Sequence, residues 1–187
     1  TTQTATITVL DTIAPNIVTQ NDTFYLGVNG TVSILPSTIN NGSSDNCGID
    51  TIWLSTSSFD CNDVGANNIY LNGKDVSGNI DSAVSIVTIA DTQAPVTIAI
   101  DTTIYLSATG TASVTPAEIG YLSSDNCATF NLALSDSSFT CVDADSTFAI
   151  ILTGSDSYGN TSTDTSFITV LDTTPPVATV QNLTVYL

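Results

Sequence analysis

Asn68-Ile69-Tyr70-Leu71-Asn72-Gly73, then Asp75-Val76-Ser77-Gly78-Asn79, then Ser82 to Ile89 is the stretch whose reading decides the fold. Apolar residues at Ile69 and Leu71 alternate with polar neighbours at the period of a half-buried strand. The aspartate, glycine and asparagine that follow form a turn, with glycine at a position needing positive φ. A second Val/Ile-rich run returns from it. Two runs joined by such a turn predict a β-hairpin.

Outward from the hairpin, the same pattern continues. Ile17 to Gln20, Thr23 to Leu26, Thr31 to Leu35 and Ile49 to Ser55 are further β-rich runs separated by turn residues, and no stretch has helical periodicity. Pro36-Ser37-Thr38-Ile39 reads as a single helical turn entered through proline. Many short strands with frequent turns predict an all-β protein built as an antiparallel sandwich.

The chain then repeats itself. Asp11-Thr12-Ile13-Ala14-Pro15 returns as Asp91-Thr92-Gln93-Ala94-Pro95 and Asp172-Thr173-Thr174-Pro175-Pro176; Ser43 to Cys47 returns at Ser123 to Cys127; Asp75 to Asn79 returns as Asp156 to Asn160. The offset is 80 residues up to the second cysteine and 81 beyond it. A fixed period of this length means tandem domains. The expected boundaries are residues 1–10 as the last strand of a preceding repeat, 11–90 as repeat one, 91–171 as repeat two, and 172–187 as the first strands of a following repeat.

Comparing the copies separates core from surface. Val32 and Ile34 match Ala112 and Val114, Ile52 and Leu54 match Leu132 and Leu134, and Ile69 and Leu71 match Ile150 and Leu152, so these positions are expected inside. Trp53 becomes Ala133 and points the other way. Tyr25, Tyr105 and Tyr186 share one position beside apolar residues, and are expected outward, where they could contact a glycan or another chain.

Seventeen aspartates and one glutamate stand against one lysine, with no arginine or histidine and a net charge of −17. Such a surface repels nucleic acid and anionic membrane. The usual general bases and oxyanion clamps are missing, so the chain is not expected to be an enzyme. No apolar run is long enough to span a bilayer as a helix, and no membrane insertion is expected.

Four cysteines fall as one pair per copy, Cys47 with Cys61 and Cys127 with Cys141. The even count, the repeated spacing and the absence of zinc-site spacing point to two within-repeat disulfides, which would staple domains that are small for a single core. Disulfides in turn imply an extracellular or cell-surface location.

In an immunoglobulin-like sandwich the linker aspartate, the loop before the third strand and the last hairpin share one pole. That would gather Asp11, Asp45, Asn46, Asp75 and Asn79 in copy one, and Asp91, Asp125, Asn126, Asp156 and Asn160 in copy two. Convergent carboxylate and amide oxygens suit calcium, which takes six to eight oxygen ligands. The same residues are also ordinary turn formers, so a purely structural role stays open.

The Asp-Thr-x-Ala-Pro opening, the Asp-Asn-Cys segment, Phe59 with Val64, Gly65 and Asn67, and the Asp-x-x-Gly-Asn hairpin together resemble the HYR-type immunoglobulin-like module. Such modules occur in tandem in large secreted adhesins of marine Bacteroidota exported by type IX secretion. The resemblance covers essentially the whole chain, departing at Val142-Asp143-Ala144-Asp145, where Val64-Gly65 has no counterpart. It implies tandem immunoglobulin-like, fibronectin-III-like antiparallel β-sandwiches forming a structural segment of a large adhesin or cell-surface filament, with neighbouring repeats as partners and self-association into filaments. The competing reading is a module that binds glycans or cells directly.

Overall fold

Alternation in the long hairpin is realised as two eleven-residue strands with one buried face. The computed structural model describes residues 2–185, and the chain falls into two compact units, Thr1–Gln93 and Ala94–Leu187. Residues 2–10 and 172–185 are exposed for most of their length. Neither segment forms a strand, and the last strand of the second unit ends at Leu171.

In the first unit the elements are β1 (Asp22–Tyr25), β2 (Thr31–Ser33), the one-turn helix α1 (Pro36–Ile39), β3 (Ile49–Leu54), β4 (Ser58–Asp60), a 3-10 turn at Cys61–Asp63, β5 (Gly65–Asp75) and β6 (Ile80–Ala90). One sheet has the order β1-β6-β5-β3 and the other pairs β2 with β4. Most pairings are antiparallel, but β1 lies parallel to β6, with Asp22 opposite Val87 and Tyr25 opposite Ala90. The expected fully antiparallel arrangement is thus modified at one edge, because β1 and β6 run toward the same end of the unit. The run Ile17 to Gln20 forms no strand; it makes one isolated bridge, Thr19 with Asn40, beside another at Asn16 with Ser44. The Ser43 hydroxyl takes the Val18 N–H at 3.0 Å, replacing a ladder bond.

The second unit repeats the plan with β7 (Thr102–Tyr105), β8 (Thr111–Ser113), α2 (Pro116–Ile119), β9 (Phe130–Leu134), β10 (Ser138–Thr140), a 3-10 turn at Cys141–Asp143, β11 (Ser146–Asp156) and β12 (Thr161–Leu171). Its sheets are β7-β12-β11-β9 and β8-β10.

Both sheets feed one core. In unit one Leu26, Ile34, Ile39, Phe59, Ile69, Leu71, Val87 and Ile89 are buried; in unit two the packed cluster includes Leu106, Val114, Ile119, Phe139, Ile150, Ile168 and Val170. At roughly 25 cal/mol per Å² this burial is the main favourable term for domains of this size. Trp53 points outward, 38% exposed. Gly73 lets the incoming segment close over β5, since a Cβ there would overlap Ile17 and touch Pro15.

The poles of each unit are set by β5 and β11. At the leading pole of unit one, Ile49 pairs with Asp75 and the Val76 N–H donates to the Gly48 carbonyl at 3.3 Å. At the trailing pole, Gly65 pairs with Ile89, and the Cys61 sulfur lies 3.6 Å from the Gly30 carbonyl. Eleven residues at about 3.3 Å each put these poles roughly 30 Å apart.

That length overturns the expected disulfides. Cys47 sits beside Gly48 at the leading pole and Cys61 precedes β5 at the trailing pole, whereas a disulfide needs Cα atoms within about 7 Å. Cys127 and Cys141 are separated in the same way, near Asp156 and Ser146 respectively. The pairs Cys47 with Cys61 and Cys127 with Cys141 do not form. Cys61 and Cys127 are disulfide-bonded, while Cys47 and Cys141 are exposed free thiols. The short sequence separation misled because β3 carries the chain along the long axis between the two cysteines.

Candidate metal centre at the leading pole

Three segments of unit one converge on the leading pole for reasons local to each. The hairpin Asp75–Asn79 is closed by its own aspartate: Asp75 Oδ1 accepts from the N–H groups of Ser77 and Asn79, both at 2.8 Å, and Oδ2 accepts from Asn79 Nδ2 at 2.7 Å. Asp45 closes its loop similarly, Oδ2 accepting from Cys47 N–H at 2.7 Å and Gly48 N–H at 3.0 Å. Asp11 turns the linker by accepting from Ile13 N–H at 3.1 Å.

Two side-chain amides tie these segments together. Asn79 Nδ2 also donates to the carbonyls of Asp11 and Ile13, each at 3.2 Å, and Asn46 Nδ2 donates to Asp11 Oδ1 at 3.4 Å. Asn79 therefore works as a strap between hairpin and linker, a role the sequence did not suggest for a candidate ligand.

Carboxylate oxygens of Asp11, Asp45 and Asp75 lie within 4.8 Å of one another. Asp75 is 1% exposed. Asp11 Oδ2 and Asp45 Oδ1 are buried and find no N–H or O–H donor. Such oxygens are costly in a protein interior unless something neutralises them. The donor set is all oxygen, hard and anionic, which suits calcium.

The electrostatics agree with ionised carboxylates. The Ile13 N–H holds Asp11 below the usual carboxylate range, helped by the Cys47 thiol and Asn46. Burial pushes Asp75 upward, but the hydrogen bonds from Asn79, Ser77 and Gly78 outweigh it and the net direction is down. Asp11 in turn pushes the Cys47 thiol up. The proximity of Cys47 to this cluster was legible only as the Asp-Asn-Cys run.

In unit two, Asp156 Oδ1 accepts from Tyr158 and Asn160 N–H at 2.9 and 2.8 Å, with Asn160 Nδ2 on Oδ2 at 2.7 Å. Asp125 Oδ2 accepts from Cys127 N–H at 2.9 Å, and its Oδ1 is likewise buried without a hydrogen-bond partner. Asn126 lies next to it in the same loop. Asp91, at the end of unit one, accepts from Gln93 N–H at 3.0 Å.

The other candidates lie elsewhere. Tyr25 and Tyr105 are each 59% exposed at the ends of β1 and β7, and Tyr186 falls outside the described residues. Lys74 makes an exposed ion pair with Asp50 at 3.0 Å, an interaction of small energetic weight. Among the described residues no helix is long and apolar enough to cross a membrane.

No protein-family model matches the chain, and no curated protein sequence matches it. Among solved structures the chain is similar to human protocadherin-24 EC1-2, at 13% identity and a TM-score of 0.42, covering 87% of this chain and 100% of that one. It is also similar to Drosophila N-cadherin EC1-4, at 13% identity and a TM-score of 0.42, covering 84% of this chain and 49% of that one. Protocadherin Gamma B7 extracellular cadherin domains 1-4 match at 11% identity and a TM-score of 0.40, over 85% of this chain and 51% of that one. The chain spans about half the length of the latter two. The all-β sandwich fold rests on the strand topology and core of this chain itself.

Proposed function

We propose that the chain is a structural segment of a large repetitive extracellular adhesin or cell-surface filament, a stiff shaft whose modules bind calcium at their leading poles. The observation that carries this reading is the pair of buried oxygens without an N–H or O–H donor, Asp11 Oδ2 and Asp45 Oδ1, within a three-carboxylate cluster. A cation there would tie the linker, the Asp45 loop and the hairpin into one rigid pole. Asp125 and Asn126, with Asp156 and Asn160, are the corresponding residues of the second copy. The short proline-bearing linkers limit bending. The disulfide-bonded state of Cys61 and Cys127 favours an oxidising compartment. HYR-type membership and a bacterial, type IX-secreted parent are the finer form of this proposal and rest on the motifs alone.

The test is thermal unfolding with and without calcium. Extracellular calcium modules bind at about 10⁻⁴ to 10⁻³ M, and tenfold saturation of one site stabilises by roughly 1.4 kcal/mol. Millimolar calcium should raise Tm, magnesium should do so less, and Asp11→Asn with Asp45→Asn should remove the response. An unchanged Tm at millimolar calcium would sink the cation-bound pole. Reproducible binding of saccharides by the chain alone would favour the directly adhesive reading instead.

A further inference from the structure

A chain of net charge −17 has, in unit one, a broad face almost free of carboxylate. Residues 1–93 carry nine aspartates, yet the outward-alternating positions of β1, β5 and β6 on the sheet β1-β6-β5-β3 include none of them. Asp50, at the β3 margin, is paired with Lys74. Exposed apolar surface stands where acid is missing. Tyr70 lies directly opposite Val84 and Asn68 opposite Ile86, while Trp53, opposite Asn72, is diagonal to Tyr70. Tyr70 is 52% exposed, Val84 51%, Ile86 43% and Trp53 38%. The second unit keeps apolar side chains at two of these positions, with Ile151 (47% exposed) and Phe167 (53%) where unit one has Tyr70 and Ile86. Contiguous apolar surface that stays exposed marks a contact site.

We infer that this face of unit one is an interface with the same face of a second copy of the chain, two sheets packing face to face around Trp53, Tyr70, Val84 and Ile86. The inference goes beyond the shaft reading and does not depend on the cation.

Charge, chemistry and area select that occupant. Two chains this acidic repel wherever their carboxylates meet, and this face brings almost none together. Val84 and Ile86 offer a sugar neither a ring to stack on nor a hydrogen-bond partner, so hydroxyl groups would lose water against them without compensation. A second apolar sheet has no such groups to desolvate, and its twist matches when the strand directions differ by about 30°. The four strands hold 4, 11, 11 and 6 residues. At about 3.3 Å per residue and about 4.8 Å between strands their footprint is roughly 500 Å². The pair would bury about 1,000 Å² in total, the lower edge of a specific interface. The same patch serves on both sides, so the contact closes as a two-fold dimer.

The experiment uses the whole chain with a chelator present, so that cation binding plays no part, and with the free thiols of Cys47 and Cys141 capped by N-ethylmaleimide. Sedimentation from about 10 µM to about 1 mM should show a reversible monomer–dimer equilibrium with a Kd of about 10⁻⁵ to 10⁻⁴ M. Trp53 emission should shift to the blue as the dimer forms, and added salt should tighten it by screening the charge outside the face. V84K combined with I86K should weaken the dimer by at least about tenfold, although the added lysines reduce the net charge. V28K, in the exposed turn after β1, adds a lysine away from the face and should leave the Kd unchanged or lower it. A chain that stays monomeric up to about 1 mM, or a dimer that survives V84K/I86K, would overturn the inference. So would a saccharide that saturably quenches Trp53 while the chain stays monomeric.

Discussion

Between the second cysteine and the long strand that follows it, copy one runs Cys61-Asn62-Asp63-Val64-Gly65 and copy two runs Cys141-Val142-Asp143-Ala144-Asp145-Ser146. Both begin with a 3-10 turn closed by an aspartate, Asp63 taking the N–H of Asp60 and Asp143 that of Thr140, each at 2.8 Å. They differ in how the strand is then reached. Copy one enters β5 on Gly65 at φ 119°, whereas copy two inserts Asp145 at φ 58° and bonds its N–H to the Val170 carbonyl at 2.8 Å. One extra residue is absorbed by one left-handed conformation, and β11 still has eleven residues.

The insertion changes what stands behind the loop. Asn67 uses its Nδ2 to hold the carbonyls of Asp63 and Gly65, at 2.7 and 3.1 Å. The same strand position in copy two is Phe148, whose ring packs against Phe139 at 5.6 Å between centroids. One copy secures the trailing pole with polar bonds and the other with an aromatic pair. A module can thus keep its sandwich while exchanging the means of fixing one corner, provided strand length and register survive.

The largest expected effect is on that corner. Phe139→Ala should destabilise unit two by about 3–5 kcal/mol, and Phe59→Ala should cost unit one about 1 kcal/mol less, because Phe59 lacks an aromatic partner equivalent to Phe148. Urea unfolding checks this. Trp53, the one tryptophan of the chain, reports unit one by fluorescence, and hydrogen exchange reports unit two. Equal losses in the two units would break the comparison.

A smaller effect follows from the residue after each leading-pole cysteine. Gly48 lies at φ 105° and its counterpart Ala128 at φ 62°, a conformation that is costly for a residue with a Cβ. Ala128→Gly should stabilise unit two by about 1 kcal/mol, and Gly48→Ala should destabilise unit one by a similar amount. The same denaturation series measures both, and a loss of stability in Ala128→Gly would contradict the assigned backbone.

The smallest expected difference is in acid. Hydrogen bonds hold Asp156 low despite burial, as they do Asp75, while Ala99 N–H lowers Asp164 and Thr115 lowers Glu118. Folded values below unfolded ones mean stability that is complete above the unfolded pKa and lost as pH falls through the folded value. Both units should therefore weaken together below about pH 5. A unit whose stability rises steadily from pH 5 to pH 2 would show that relief of its negative charge outweighs these bonds.

Much of this was legible in the sequence because it depends on local periodicity. Ile69 and Leu71, matched by Ile150 and Leu152, marked the buried face of the long hairpins, and Pro36 and Pro116 marked the single helical turns. Asp75 and Asn79 were readable as a pair, since a turn-closing aspartate acts within five residues. The cysteines were not. Their pairing depends on which end of a strand each occupies, and sequence separation does not encode that. Nor could the sequence show that Asn79 spends its amide on the linker, or that Asp11 and Asp45 each keep an oxygen without an N–H or O–H donor.

The sequence alone determined that this is a repeated all-β chain of strongly acidic modules, because alternation, turn residues and charge are properties of short stretches. Only the tertiary structure decided the parallel edge, the grouping of three carboxylates and the oxidation state of the four cysteines. Each depends on which distant segments meet, and that is set by strand direction and by the length of the sandwich.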